Sequence, residues 1–131
     1  MSGAPGLQYL AFDFGTKRVG VASGNTVIGR ASPLATIAAE GDARFAKIAA
    51  LIAEWRPDAL VVGIPRHPDG APHDNTRRAE RFARQLHGRF RLAVHEVDER
   101  YTTVEALAAG AADVDAASAA LILDQYLGTL E

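Results

Sequence analysis

Four carboxylates stand where they could do chemistry. Asp13 lies between Phe12 and Phe14, at the end of the apolar run 7–14. A carboxylate inside such a run is expensive unless something pairs with it. Asp98 and Glu99 follow a second apolar run, and Asp115 opens the last helical segment. Strand ends on one edge of an open α/β sheet, together with a helix terminus, are where such folds keep their sites. Carboxylates brought together there repel, and a hard cation relieves the repulsion. Mg²⁺ takes carboxylate oxygens, keeps several waters and stays open to phosphate. Two such ions about 4 Å apart clamp the attacking and leaving oxygens of an in-line displacement at phosphorus. The pattern therefore points to metal-dependent phosphodiester hydrolysis.

Each acid also has a plainer use. Asp13 can accept N–H groups of the turn 15–18, although Thr or Asn would do so at less desolvation cost. Asp98 and Glu99 can be a solvated strand end paired with Arg100. Asp115, with Ser118 three residues on, has the spacing of a helix N-cap. The joint placement favours a site over four separate structural roles.

Other motifs carry less. Gly15 and Gly20 have the spacing of a phosphate loop, but Val21 and Ala22 follow where Lys and Ser or Thr are required. Gly20 is better read as allowing a close approach of backbone. His67 and His73 sit in a polar loop and read as exposed side chains rather than ligands.

The acids are positioned by alternating elements. Residues 7–14 read as a central strand, apolar on both faces. A turn at 15–18 leads to a second strand, 19–23. Gly24 and Asn25 signal a hairpin, and a third strand follows at 27–37, broken by Pro33. Asp42 can cap a helix to Trp55, whose apolar stripe is Phe45, Ile48, Ala49, Ile52 and Trp55. A buried strand spans 59–64. Asp74 or Asn75 can cap a helix to His87, and a fifth strand spans 92–97. Short helices are expected at 102–109 and 115–127. The order βββαβαβαα predicts an α/β domain with a mixed five-stranded sheet. Residues 1–6 read as a flexible tail and 7–131 as a single domain.

Composition agrees with that class. The chain has 131 residues, 48% hydrophobic and 23% charged, with net charge −2. It contains no cysteine, which excludes disulfides and thiolate metal sites. No apolar run reaches the roughly 18 residues of a membrane span, and the opening residues do not resemble a signal peptide. A cytoplasmic protein without membrane contact is expected. Charge is unevenly spread. Arg77, Arg78, Arg81, Arg84, Arg89 and Arg91 are opposed within their segment only by Glu80, whereas Arg100 is the only Lys or Arg after Arg91. Arg77, Arg81 and Arg84 share a helical face and can track a nucleic-acid backbone. Lys17, Arg18 and Arg100 stand beside the acids and can hold phosphates.

Four stretches in order, "DFGTKRVGVA" from Asp13, "VVGIP" from Val61, "DERYTTVEA" from Asp98 and "VDAASAALILDQYL" from Val114, resemble the bacterial YqgF family of pre-16S rRNA nucleases and Holliday junction resolvases. The resemblance covers almost the whole chain. It implies an RNase H-like fold with helices on both faces of the sheet. It implies a role in processing the 5′ end of pre-16S rRNA, hence in ribosome biogenesis, within a RuvC-like group whose acids bind Mg²⁺. Carried over residue by residue, the metal-binding and catalytic acids fall on Asp13, Glu99 and Asp115, with Mg²⁺ or Mn²⁺, two ions, as cofactor. Strand alternation puts Asp98 and Glu99 on opposite faces, which favours Glu99 and leaves Asp98 in reserve. Two departures stand out. Residues 107–114 are short and contain no Lys or Arg, and His67 stands where the family usually has Asn.

Competing readings are a resolvase of four-way DNA junctions, a non-catalytic RNA- or ribosome-binding module, and a phosphate-handling ATPase. The last would need a second copy of the domain to close a nucleotide cleft. The nuclease reading implies pre-16S rRNA or branched DNA as partner, with the small ribosomal subunit precursor, acting as a monomer or homodimer.

Overall fold

The computed structural model describes residues 6–66, 69, 71, 74–99 and 113–130. In chain order the elements are β1 (Gln8–Phe14), β2 (Val19–Asn25), β3 (Ala31–Ile37), α1 (Gly41–Trp55), β4 (Ala59–Ile64), α2 (Thr76–Phe90), β5 (Ala93–Asp98) and α3 (Val114–Gly128). The helix expected at 102–109 lies outside the described residues.

The strands form one five-stranded sheet in the order β3-β2-β1-β4-β5. β1 pairs antiparallel with β2 and parallel with β4, and β4 pairs parallel with β5. β1 is central, as its two-sided apolar character predicts. Its alternate residues serve two cores. Leu10 and Phe12 pack with Phe45 and Ile48 of α1 and Phe82 and Leu86 of α2. Tyr9 and Ala11 pack with Ile122, Leu123 and Leu127 of α3. Helices thus cover both faces of a mixed sheet, the architecture expected from the sequence.

The differences are local. β3 begins at Ala31, not residue 27, because Thr26–Ile28 are used in the turn and Gly29 takes a left-handed conformation, φ 73°. Pro33 does not break β3. That strand is at the sheet edge, and the register slips between Val21 and Ala22 opposite it, which accommodates a residue without an N–H. α1 starts at Gly41 after Glu40, and Asp42 lies within its first turn rather than capping it. α2 runs on to Phe90, where Arg91 in a left-handed conformation ends it.

Candidate nucleic-acid cleavage site

Three strands carry a row of residues at one level, Gly20, Asp13 and Gly63. Asp13 is the register partner of Gly20 across β1 and β2. On its other side Phe12 pairs with Val62, so the next residues along, Asp13 and Gly63, stand side by side. Side chains alternate along a strand. Because Tyr9 and Ala11 face α3, Asp13 faces α3 as well.

Each flanking glycine admits an acid. A Cβ on Gly20 would stand 1.8 Å from the Asp115 carbonyl oxygen. Only a residue without a side chain lets the first turn of α3 lie so close. A Cβ on Gly63 would stand 2.5 Å from Glu99 Oε2 and 2.6 Å from Ile122 Cδ1. The Glu99 carboxylate therefore lies over the backbone of β4 beside Asp13. With neighbouring strands about 4.8 Å apart, the row places Asp115, Asp13 and Glu99 along roughly 10 Å of one sheet face. The chain brings these three together from its beginning, its fifth strand and its last helix.

Asp98 is placed differently. Val97 packs toward α3 and Val94 toward the α1/α2 side, so alternation turns Glu99 toward α3 and Asp98 away from it. Asp98 is exposed, and at the outer edge of β5 it still borders a cavity of about 510 Å³ that it shares with Gln125, Tyr126 and Thr129 at the C-terminal end of α3. That cavity lies toward the far end of α3 and includes none of Asp13, Glu99 and Asp115. Asp13, Glu99 and Asp115 are each partly buried.

Asp115 does not cap its helix. Asp113 is the N-cap, its carboxylate accepting from Ala116 N at 3.1 Å and from the Thr36 hydroxyl of β3. Asp115 is left to pair with Arg18, whose Nε donates to Asp115 Oδ2 at 3.1 Å. Lys17 and Arg18 occupy the exposed turn between β1 and β2.

The basic residues do not all gather here. Arg77, Arg81 and Arg84 are exposed on α2, which packs on the opposite face of the sheet from α3. Only the start of α2 approaches the acidic edge, where the Thr76 hydroxyl bonds the Pro65 carbonyl after β4. Glu80, the sole acid of the segment, faces Arg66 at 3.5 Å. Arg100, His67 and His73 lie outside the described residues.

Arg44 was not expected from the sequence. It is only 6% exposed on α1, and it donates to the carbonyls of Ala39 at 2.7 Å and Thr16 at 3.1 Å. Its guanidinium stands 5.6 Å from the centre of the Phe14 ring. Burial pushes its pKa down from the usual arginine range, with Glu40 opposing. Arg44 thus pins the turn that presents Lys17 and Arg18. An arginine within an amphipathic helix gives no sign in sequence that a distant loop carbonyl will take it.

The donor set suits a divalent cation in kind. It offers carboxylate oxygens, with a glycine cradle under Glu99. Among the described residues no three acidic or histidine side chains are grouped closely enough to surround an ion. One or two carboxylates with water and substrate phosphate are the usual coordination of Mg²⁺, and the row of acids can meet that requirement.

Comparison with known proteins follows the same line. A family model described as "RuvX: Holliday junction resolvase" matches residues 7–129. A protein of Polaromonas sp. strain JS666 named "Putative pre-16S rRNA nuclease" is 66% identical over 126 residues, covering 95% of this chain and 91% of the relative. An Albidiferax ferrireducens protein with the same name is 64% identical over 122 residues, covering 93% and 78%. Among solved structures, T. thermophilus RuvC, described as in complex with Holliday junction substrate, aligns with TM-score 0.56 at 13% identity over 95% of both chains. At that identity the likeness is one of fold. No helix among the described residues is long and apolar enough to cross a membrane.

Proposed function

The chain belongs to the RuvX family, and from that premise we propose that it is a metal-dependent nuclease hydrolysing phosphodiester bonds in the 5′-end processing of pre-16S rRNA. The observation that carries the reading is the row Gly20, Asp13 and Gly63. Two glycines give up their side chains so that Asp115 and Glu99 can flank Asp13. A purely structural surface gains nothing from collecting like charges.

Asp13, Glu99 and Asp115 would hold Mg²⁺ or Mn²⁺, which supplies charge to the phosphoryl oxygens and acidifies bound water when present. The chain's own groups do the rest. The three carboxylates hold the cations and orient an attacking water. Lys17 and Arg18, with Arg100, bind phosphates flanking the scissile bond. Arg77, Arg81 and Arg84 add a more distant backbone contact. Asp98 is assigned no part, because it stands outside the row of Gly20, Asp13 and Gly63.

The relatives' name and the description of the family model support different substrates, pre-16S rRNA and four-way DNA junctions. Cleavage of both, with Mg²⁺, Mn²⁺ or EDTA, tests the reading. Cutting is expected with either metal, none in EDTA, and a preference for the RNA leader. Asp13→Asn should lose at least ~10³-fold, since a cation held at the phosphate contributes several kcal/mol and each 1.36 kcal/mol is tenfold. Undiminished cutting by Asp13→Asn would place the site elsewhere. Preference for the junction would transfer the assignment to DNA.

A further inference from the structure

We propose that Arg18 is a built-in counter-ion which a divalent cation displaces from Asp115, and that the displaced guanidinium then takes a substrate phosphate. This inference rests on the nuclease reading and adds an order of events to it. The Arg18–Asp115 pair is well aligned at 3.1 Å, yet both side chains remain open to solvent, 60% and 36% exposed. Exposed pairs of this kind are weak. Water already competes for both groups, so a divalent cation can take the carboxylate at little cost.

The surroundings limit the exchange to side chains. Arg44 holds the Thr16 carbonyl from a buried position, fixing the turn that carries Arg18. Gly20 and the Asp113 cap fix the backbone that carries Asp115. Neither main chain needs to move. Arg18 needs only to rotate about its own exposed side chain.

Released, Arg18 presents a planar fork that matches two phosphate oxygens. Before release it neutralises one acid of a group that otherwise repels both itself and the substrate. Arg18 thus opposes metal binding in the free protein and favours nucleic acid once metal is present. Coupling of this kind is reciprocal, so metal and nucleic acid should each strengthen the other through this residue.

The test uses Mn²⁺ alone, titrated into the full chain and followed by the electron paramagnetic resonance of free Mn²⁺. Arg18→Met should bind Mn²⁺ about two- to fivefold more tightly than the parent, the range an exposed ion pair allows. Asp115→Asn should bind it more weakly with either residue at position 18. Binding of a short single-stranded RNA in Ca²⁺ and in EDTA supplies the second readout. The parent should gain affinity with Ca²⁺, and Arg18→Met should lose most of that gain. If Arg18→Met binds Mn²⁺ no better while Asp115→Asn still weakens it, the displacement is wrong and the metal site stands. If Asp115→Asn leaves Mn²⁺ binding intact, Asp115 is not a ligand and the displacement falls with that part of the nuclease reading.

Discussion

The carboxylate of Glu99 occupies the space that a side chain on Gly63 would fill, with Glu99 Oε2 2.5 Å from where the Cβ would be. Gly63 lies in β4 and Glu99 directly follows the neighbouring strand β5, and one has no side chain so that the other can lie over it. Gly63→Ala should therefore displace Glu99 and press on Ile122. Overpacking of this order costs about 1–3 kcal/mol. A displaced carboxylate should lower cleavage about 10²-fold. Denaturant unfolding and cleavage rate on the same preparation check both. Gly20→Ala should be worse for stability, because the Cβ would meet the Asp115 backbone at 1.8 Å, not a flexible tip.

Asp113 and Asp115 divide two tasks that either could have performed. Asp113→Ala should destabilise by about 1 kcal/mol, the usual cost of losing an N-cap. It should leave Mn²⁺ binding largely intact. Asp115→Asn removes only an exposed ion pair and should leave stability within about 0.5 kcal/mol. Thermal unfolding of the two variants, with and without Mn²⁺, separates cap from ligand.

Arg44→Met should cost about 1–3 kcal/mol in all, because the carbonyls of Ala39 and Thr16 lose a buried donor. At temperatures where the variant is folded, RNA affinity should also fall and depend less steeply on salt, because the turn bearing Lys17 and Arg18 loosens. Affinity measured over a series of salt concentrations is the check.

The sequence made the sheet legible because its signals were strong and local. Apart from Gln8, the run leading to Asp13 is apolar on both faces, which marks β1 as central. The stripe of Phe45, Ile48 and Ile52 marked α1. What escaped were features set by partners distant in sequence. Asp115 had cap spacing, and nothing in its neighbourhood revealed that Asp113 and Thr36 would meet first. Pro33 read as a break because sequence does not show that β3 is an edge strand opposite a register slip. Gly63 belongs to the VVGIP stretch, but its role depends on Glu99 lying over it, which no local pattern shows. Strand alternation favours Glu99 over Asp98, and comparing cleavage by the two variants decides between them.

Tyr9 links stability to alkaline pH. Burial raises its pKa above 10.0, with a smaller contribution from its hydrogen bond with Tyr126. The folded state therefore holds a proton that the unfolded state releases, so this contribution is complete below pH 10.0 and is lost as pH rises through the folded value. Stability should decline from about pH 10 upward, and Tyr9→Phe should flatten the decline. Equilibrium unfolding across that range is the measurement.

The central claim is that one face of the sheet, and not merely a collection of nearby acids, makes the site. Glu99 lies over Gly63 and Asp98 is its neighbour in sequence outside that row, so cleavage by Glu99→Gln and Asp98→Asn, measured side by side with Mg²⁺, tests it most directly. The account predicts a loss of at least ~10³-fold for Glu99→Gln and a rate close to the parent's for Asp98→Asn. Equal losses, or a loss confined to Asp98→Asn, would contradict it.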